Sequence, residues 1–268
     1  MMRSSHVNNG LKRIILTVAA FLLPVALVSA KQNIPHSEGD VVSVSLGDLH
    51  PTQALIGRDQ VLYKLANYQK KPKNLFDDVC EANGQKGIKD FDQNSKPNKL
   101  DSFTCLESIG REKSALKTVV IAPNGQLYLT DGHHTFTTFW AMPNGGPDFP
   151  IHVLIAKDYR NGEANLQSGV SAQKKQMTEF WQQMQQDKNT WLFNVAGDAI
   201  TPQELPKQLD LKQFQDSPMR SMLYFTKGVS WDKPDVAVPF LEFYWAKALS
   251  LQLAENRDDL TTESGFVA

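Results

Sequence analysis

Two adjacent histidines follow an Asp-Gly pair in the segment TDGHHTFTTFW, residues 130–140. Phe136, Phe139 and Trp140 recur behind them at helical spacing, which predicts a helix that begins at the motif and ends before Pro143. A helix start carries free backbone N–H groups and the positive end of the helix dipole, so it can bind an anion such as phosphate. Two imidazoles on the first turn, about 100° apart around the helix, would add a proton donor or a base near neutral pH.

The motif therefore predicts a phosphate site with acid and base groups. We expect His133 and His134, with Asp131, to be the catalytic groups, and Gly132 and Thr135 to contact the phosphate. In a purely structural alternative, Asp131 caps the helix and Gly132 turns the chain from strand to helix. That alternative leaves the histidines unexplained, because a first turn favours acidic residues over cations.

A metal at this motif would need a third ligand. Asp131, His50 and His152 are the candidates that the sequence offers, but no spacing such as HExxH supports any of them. We therefore predict no cofactor, with a divalent metal as the alternative.

The elements before the motif are a strand, a helix and an irregular segment. Apolar and small polar residues alternate over residues 40–49, which predicts a strand, and a helix is expected from residues 57–59 to Pro72. Residues 71–114 are rich in Lys, Asp, Asn, Gly and Pro and read as a long irregular excursion.

Strands are expected on both sides of the motif. The runs at residues 118–122 and 127–130 flank Asn124-Gly125, which predicts a hairpin because both residues tolerate positive φ. A further strand follows at residues 151–159. Beyond it the sequence becomes Gln-rich and helical, which predicts a C-terminal helical layer.

The two cysteines, Cys80 and Cys105, both lie in the predicted excursion. Two cysteines permit one intramolecular pairing, so a disulfide is the leading prediction and a pair of buried free thiols is the alternative.

The N-terminal segment has the pattern of a secretory signal peptide. Arg3, Lys12 and Arg13 precede an apolar run at residues 14–28, and Val-Ser-Ala closes it at Ala30. Cleavage there would leave no permanent membrane span and would place the protein in the periplasm or outside the cell, where disulfides persist. We expect a signal peptide at residues 1–30, an α+β domain at residues 31–160 and a helical extension packed on it at residues 161–268.

The charge argues against wholesale binding to a nucleic-acid backbone. Without the leader the chain has 25 basic and 29 acidic residues, whereas phosphate-backbone binding favours a basic face.

Four parts of the sequence carry a family resemblance: the segments LHPTQ and GRDQV, residues 119–140 and residues 216–249. Together they resemble the ParB-like nuclease family, an exported bacterial branch of the ParB/sulfiredoxin superfamily. The resemblance covers nearly the whole mature chain. It implies a small mixed sheet with helices and a phosphate or nucleotide site at residues 131–135. It also implies that Gln53 faces this turn, and the guanidinium of Arg58 is a candidate phosphate clamp.

The sequence departs from the superfamily pattern at positions that argue against several of the superfamily's known activities. Members that act as free serine kinases use an acidic base near the first strand, where this chain has Gln53 with Glu38, Asp40 and Asp48 nearby. Sulfiredoxins have a reactive Cys in the turn, and partition proteins have an Arg-rich turn and a helix-turn-helix domain. The sequence has none of these features.

Two functions remain. The first is a nuclease or phosphoesterase that acts on a phosphate-containing small molecule or nucleic acid fragment. The second is a non-catalytic module of the same fold that binds an anionic ligand or a protein partner. A third interpretation gives the motif only a structural role between strand and helix.

Overall fold

A mixed sheet surrounded by helices forms the fold. The structure is a computed structural model that describes Met1 and residues 36–160, 170–235 and 238–256. Apart from Met1, the predicted signal peptide at residues 1–30 lies outside the described residues. No helix within the described ranges has the length and apolar character needed to cross a membrane.

The strands of the described residues are, in chain order, β1 (Val41–Ser45), β2 (Leu49–His50), β3 (Leu55–Ile56), β4 (Ile88–Asp90), β5 (Thr104–Cys105), β6 (Lys117–Ile121), β7 (Leu127–Leu129), β8 (Pro150–Asp158) and β9 (Gln215–Asp216). The helices are α1 (Arg58–Lys70), α2 (Pro72–Ala82), α3 (His133–Ala141), α4 (Val170–Gln186), α5 (Pro218–Thr226) and α6 (Leu241–Asn256). This content confirms the predicted α+β class and the helical C-terminal layer.

The main sheet has five strands in the order β1-β8-β6-β7-β2. The β1·β8 and β6·β7 pairs are antiparallel, whereas β6·β8 and β2·β7 are parallel. Along β8 the residues Ile151, Val153 and Ile155 are fully buried, which is the period of two expected for a strand with one face on the core. The short β2 pairs with β7 at Leu49 and His50, so the chain that follows β2 lies beside the end of β7.

The predicted hairpin is confirmed as β6 and β7. Gly125 alone of the predicted turn pair has positive φ, at 81°, and its N–H donates to the Ala122 carbonyl at 2.8 Å. Asn124 instead uses its side-chain oxygen to accept from the N–H of Gln126 at 3.1 Å. β7 then leads through a short turn into α3, as the sequence predicts.

The prediction of an irregular segment at residues 71–114 is wrong at its start, where α2 forms an eleven-residue helix. Pro72 occupies its first turn, a position where the missing N–H of proline is not needed. Phe76, Val79 and Cys80 are buried and recur at helical spacing. The polar residues between them, Asp77 and Asp78, obscured this pattern. Both are half-buried, and they accept hydrogen bonds from the N–H of Ile88 and from the Nζ of Lys64.

The predicted disulfide is present between Cys80 in α2 and Cys105 in β5, with 5.7 Å between the two Cα atoms. It attaches α2 to the small β4-β5 sheet.

The helix that starts at the motif is anchored in the main core. Phe136 and Phe139 are fully buried and belong to the same cluster as Phe149 and Ile151. Full burial of a side chain of this size contributes about 2 kcal/mol relative to exposure. The two phenylalanines therefore fix the position and the axis of α3.

The C-terminal part contacts the N-terminal part through backbone pairing. β9 pairs with β3 in parallel, and the N–H of Trp191 donates to the Thr52 carbonyl at 2.9 Å. Residues from His36 onward form one compact unit. The division into domains at residue 160 stays a prediction.

Candidate functional site

Helix α3 begins without a side-chain cap. Gly132 occupies the N-cap position, and no described side chain bonds to the first-turn amides. The structural alternative in which Asp131 caps the helix is therefore wrong: its carboxylate is 68% exposed and lies 3.6 Å from the Nζ of Lys117. The first-turn N–H groups of α3, which have no partner within the helix, remain available to a ligand.

Gly132 is required by the backbone and by its neighbour. Its φ of 99° lies in the left-handed region, which favours glycine. A Cβ atom at this position would lie 2.5 Å from the Cγ of Lys117. The aliphatic stem of Lys117 therefore packs directly against the helix start.

His133 is buried, with 3% of its surface exposed. Its Nε2 accepts a hydrogen bond from the backbone N–H of Thr52 at 3.0 Å. Burial lowers its pKa to about 4, against a weaker opposite effect from the carboxylate of Asp131. His133 is therefore neutral at pH 7.

His134 makes an equivalent contact five residues further along the chain, at the N-cap of α1. Its Nε2 accepts from the backbone N–H of Gly57 at 3.0 Å. Burial lowers its pKa well below the ordinary value, and the positive charge of Arg220, the neighbouring His133 and two lysines lower it further. His134 is likewise neutral at pH 7.

These two contacts determine the tautomers of both rings. A backbone N–H can only donate, so each Nε2 is an acceptor and the proton of each neutral ring is on Nδ1. In this state each histidine offers a ligand an N–H donor. Each ring also holds the loop between β2 and α1 against the start of α3.

Thr52 is the centre of that loop. Its hydroxyl donates to the Leu129 carbonyl at 2.6 Å, and its own carbonyl accepts from the hydroxyl of Thr190 at 2.8 Å. Beside it, the buried Gln53 turns its amide nitrogen to the Leu55 carbonyl at 2.6 Å. The two Thr52 contacts tie the loop to β7 and to Thr190, whereas the Gln53 contact lies within the loop.

A cavity of about 500 Å³ opens at this helix start. We call it the α3 cavity. Its size is within the usual range for a small-molecule site. Its polar lining residues are Gln53, Gln60, Lys117, Thr118, Thr130, Asp131, Gly132, His133, His134, Thr135, Asn189, Arg220, Lys233 and Glu242, and its apolar wall is Val238, Pro239, Phe240 and Phe243.

Arg220 is the most buried charge of the cavity, with 8% of its surface exposed. One Nη donates to the Oε1 of Gln60 at 3.1 Å, while the buried Nε has no partner among the described residues. Burial lowers its pKa, partly offset by Glu242, yet a guanidinium stays protonated under all ordinary conditions. A buried cation with an unused donor is suited to an anionic ligand.

Glu242 and Lys233 complete the charges of the cavity. A carboxylate oxygen of Glu242 lies 3.2 Å from the Nζ of Lys233 and 3.7 Å from an Nη of Arg220. Burial acts to raise the pKa of Glu242, but the two cations outweigh it, so the pKa is below its ordinary value. The lining has three cations, with Lys117 as the third, against two carboxylates. Together with the helix dipole this gives a positive environment.

The structure brings most of the predicted site residues together. Asp131, Gly132, His133, His134, Thr135 and Gln53 all line the α3 cavity. Arg58 does not line it: this residue is exposed at the start of α1, where its N–H donates to the Oδ1 of Asp216 at 3.0 Å. Its role in phosphate binding stays a prediction that this arrangement does not favour.

The other predicted candidates lie elsewhere. Glu38, Asp40 and Asp48 are absent from the lining of the α3 cavity, whose two carboxylates are those of Asp131 and of Glu242 in α6. His152 pairs its Nδ1 with the side-chain oxygen of Asn83 at 2.8 Å. Within the described ranges no three His, Cys, Asp or Glu side chains are grouped as metal ligands.

The sequence interpretation missed Arg220, Lys233 and Glu242. Arg220 had a detectable signal, because it follows the Ser-Pro helix start of α5 on the same face as Met219 and Leu223, where a charge is unexpected. Glu242 and Lys233 had no such signal, since only the packing of α6 brings them to the motif.

The comparisons agree with this geometry at the level of the fold and the family. Residues 42–250 match the family described as "Putative ParB-like nuclease". The chain belongs to this ParB-like nuclease family. The matched region includes the α3 cavity and both of its walls, and membership supports a nuclease-like function at the level of the family.

A solved structure has a similar fold. The crystal structure of protein Atu1540 from Agrobacterium tumefaciens superimposes with a TM-score of 0.50 at 17% identity, over 79% of this chain and 80% of that chain. At this identity the likeness concerns the fold alone. The comparison with curated proteins gives no match.

Proposed function

We propose that this member of the ParB-like nuclease family binds the phosphate group of a phosphate ester or nucleic acid fragment in the α3 cavity. The observation that carries the proposal is the position of the buried Arg220, with its unpartnered Nε, in the same cavity as the uncapped start of α3. Amide donors and a guanidinium are the two groups that most often bind phosphate oxygens.

The histidines have a defined part in this binding. As neutral rings with the proton on Nδ1, His133 and His134 supply hydrogen-bond donors without adding charge. Lys117 and Lys233 add positive charge to the lining of the cavity, and Thr135 adds a hydroxyl.

Hydrolysis is the reaction that we propose for the bound ester, with His133 or His134 as the proton shuttle. For this role, one imidazole must release the Nε2 bond to the loop, because a ring that accepts at Nε2 and has a proton on Nδ1 has no free basic nitrogen. Three features support this role: the family, the cavity that both rings line, and the position of both rings on the first turn of α3.

A non-catalytic module is the second candidate, and the same Nε2 contacts favour it. Both rings hold the loop between β2 and α1, which is a sufficient reason for two histidines at this position. In this case the protein would bind phosphate and release it unchanged.

The experiment is a titration of the purified chain with inorganic phosphate and with a short single-stranded DNA, followed by an assay for hydrolysis with and without EDTA. We expect saturable binding of both, weakened by Arg220→Lys, which loses the guanidinium fork. Exposed Arg58→Lys is the matched control. Cleavage that disappears in His134→Gln while phosphate still binds supports the hydrolase, and binding without cleavage supports the module. Absence of any binding would refute both.

A further inference from the structure

A second cavity lies on the other side of the Thr52 loop from His133 and His134. It has a volume of about 850 Å³, and we call it the α4 cavity. His50 and Pro51 line the α4 cavity, whereas Gln53 lines the α3 cavity, so the buried Thr52 separates the two. The α4 cavity contains none of the groups to which we assign phosphate binding.

The lining of the α4 cavity is mainly uncharged and rich in amides. Its polar side chains are Asn124, Gln126, Thr178, Gln182, Gln185, Thr201 and Gln203, with Lys174 and Lys207 at the exposed margin. No Asp or Glu of the described residues lines it. Asn124 donates to the Oε1 of Gln126 at 2.7 Å, whereas the exposed Gln182, Gln185 and Gln203 each offer a donor and an acceptor. This is the combination needed to bind hydroxyl groups, which also donate and accept.

Aromatic rings form part of the same wall. Trp181 and Tyr128 contact each other edge to face with ring centroids 5.0 Å apart, and His50 lies 5.2 Å from Tyr128. All three are half-buried, so each ring keeps surface open to the cavity. A partly exposed aromatic ring offers a flat apolar surface that can cover the C–H face of a sugar ring.

This arrangement explains why α4 is rich in glutamine. Gln182 and Gln185 are exposed, and they extend the same side of α4 that carries Trp181 and Met177 into the cavity. An exposed face made only for solubility would favour charged residues, as in most surface helices.

We infer that the α4 cavity is a binding site for a short oligosaccharide. The pairing of amides with half-buried aromatic rings fits pyranose units, and the volume is within the range of sites that enclose ligands of this size. The two lysines at the margin supply positive charge for the carboxylate of an acidic sugar. The site therefore fits acidic sugars as well as neutral ones. This inference does not depend on phosphate binding in the α3 cavity.

The test is isothermal titration of the full chain with maltotriose and chitotriose as neutral probes and with trigalacturonate as an acidic probe. We expect saturable binding of at least one of them, weakened about tenfold by Gln182→Ala together with Gln185→Ala, a loss of about 1.4 kcal/mol. These side chains are exposed, so their loss should leave the fold intact. Trp181→Phe tests the ring, with the exposed Trp245→Phe of α6 as the matched control.

The outcomes separate clearly. Binding that weakens in the glutamine and Trp181 variants but not in the Trp245 control supports the site, and a preference for trigalacturonate assigns the lysines to a carboxylate. The inference is overturned if no sugar binds at millimolar concentration, or if binding is unchanged in both sets of variants. An unaltered phosphate titration in the same variants shows that the α3 cavity is a separate site.

Discussion

The Nε2 atom of His133 accepts a hydrogen bond from the backbone N–H of Thr52 across 81 residues of chain, at 3.0 Å. This single bond fastens the buried loop after β2 to the first turn of α3. Since His134 forms the parallel bond to Gly57, the histidine pair organises the α3 cavity whether or not it also transfers protons.

We predict that His133→Ala lowers the free energy of unfolding by about 2 kcal/mol, because it leaves the buried N–H of Thr52 without an acceptor. Urea denaturation measures this change. His36→Ala, at the edge of the described residues, is the control and should change the free energy little. An equally small effect of His133→Ala would contradict the importance of the bond.

Acid should destabilise the protein through the same residue. The pKa of His133 is about 4 in the folded protein, below its ordinary value of 6.5. On acidification the unfolded chain therefore takes up the proton first. The contribution of His133 is complete above pH 6.5 and is lost as the pH falls toward 4, by a total of about 3 kcal/mol. Unfolding measured between pH 7 and 4 should be less pH-dependent in His133→Gln than in the unchanged chain. Identical slopes would contradict this.

Glu242 should compete with phosphate for the cations of the α3 cavity. Its carboxylate lies near both Lys233 and Arg220, so an incoming anion meets two cations that are already partly neutralised. We expect Glu242→Gln to strengthen phosphate binding about tenfold while lowering the stability of the free protein, because it leaves Arg220 unpaired. Titration and thermal unfolding with and without phosphate measure the two effects. Glu179→Gln on α4, an exposed glutamate, is the control, and weaker phosphate binding in Glu242→Gln would refute the competition.

The helix start should depend on Gly132 for two separable reasons. Gly132→Ala introduces positive φ for alanine and a contact with the stem of Lys117, and we expect a loss of about 2 kcal/mol or more. Lys117→Ala in the same chain removes the Cγ and Cδ atoms at 2.5 and 2.7 Å but keeps the Cβ at 2.9 Å, so the double variant should recover most of the steric part and keep the backbone part. Strict additivity of the two substitutions would mean that the close approach contributes nothing.

The disulfide should stabilise the fold without affecting the site. Replacing Cys80 and Cys105 by alanine opens a loop with a sequence separation of 25, for which loop entropy gives a loss of about 3 kcal/mol. Neither residue lines the α3 cavity, so phosphate affinity should stay the same at temperatures where the variant remains folded. A large loss of affinity in a folded variant would show that α2 positions the site.

The sequence by itself determined the elements whose signal is local. The hairpin around Gly125, the helix behind the histidines and the helix α1 follow from turn chemistry and from apolar spacing, which depend only on neighbours in the chain. The motif also identified the part of the α3 cavity formed by residues 131–135, because a strand that runs into a helix places its residues at the helix start in any fold of this type. The two cysteines allowed one pairing, and their positions in α2 and β5 meet it.

Only the tertiary structure decided what surrounds the motif. The backbone N–H groups of Thr52 and Gly57 that donate to the two Nε2 atoms, and the side chains of Arg220 and Glu242, come from segments more than 70 residues away in sequence from the motif. The burial that lowers both histidine pKa values is likewise a result of tertiary packing. Helix α2 was missed because its polar residues resemble a loop until its apolar side is packed. Long-range packing has no local sequence signal, so the sequence did not place Arg220 of α5 and Glu242 of α6 at the start of α3.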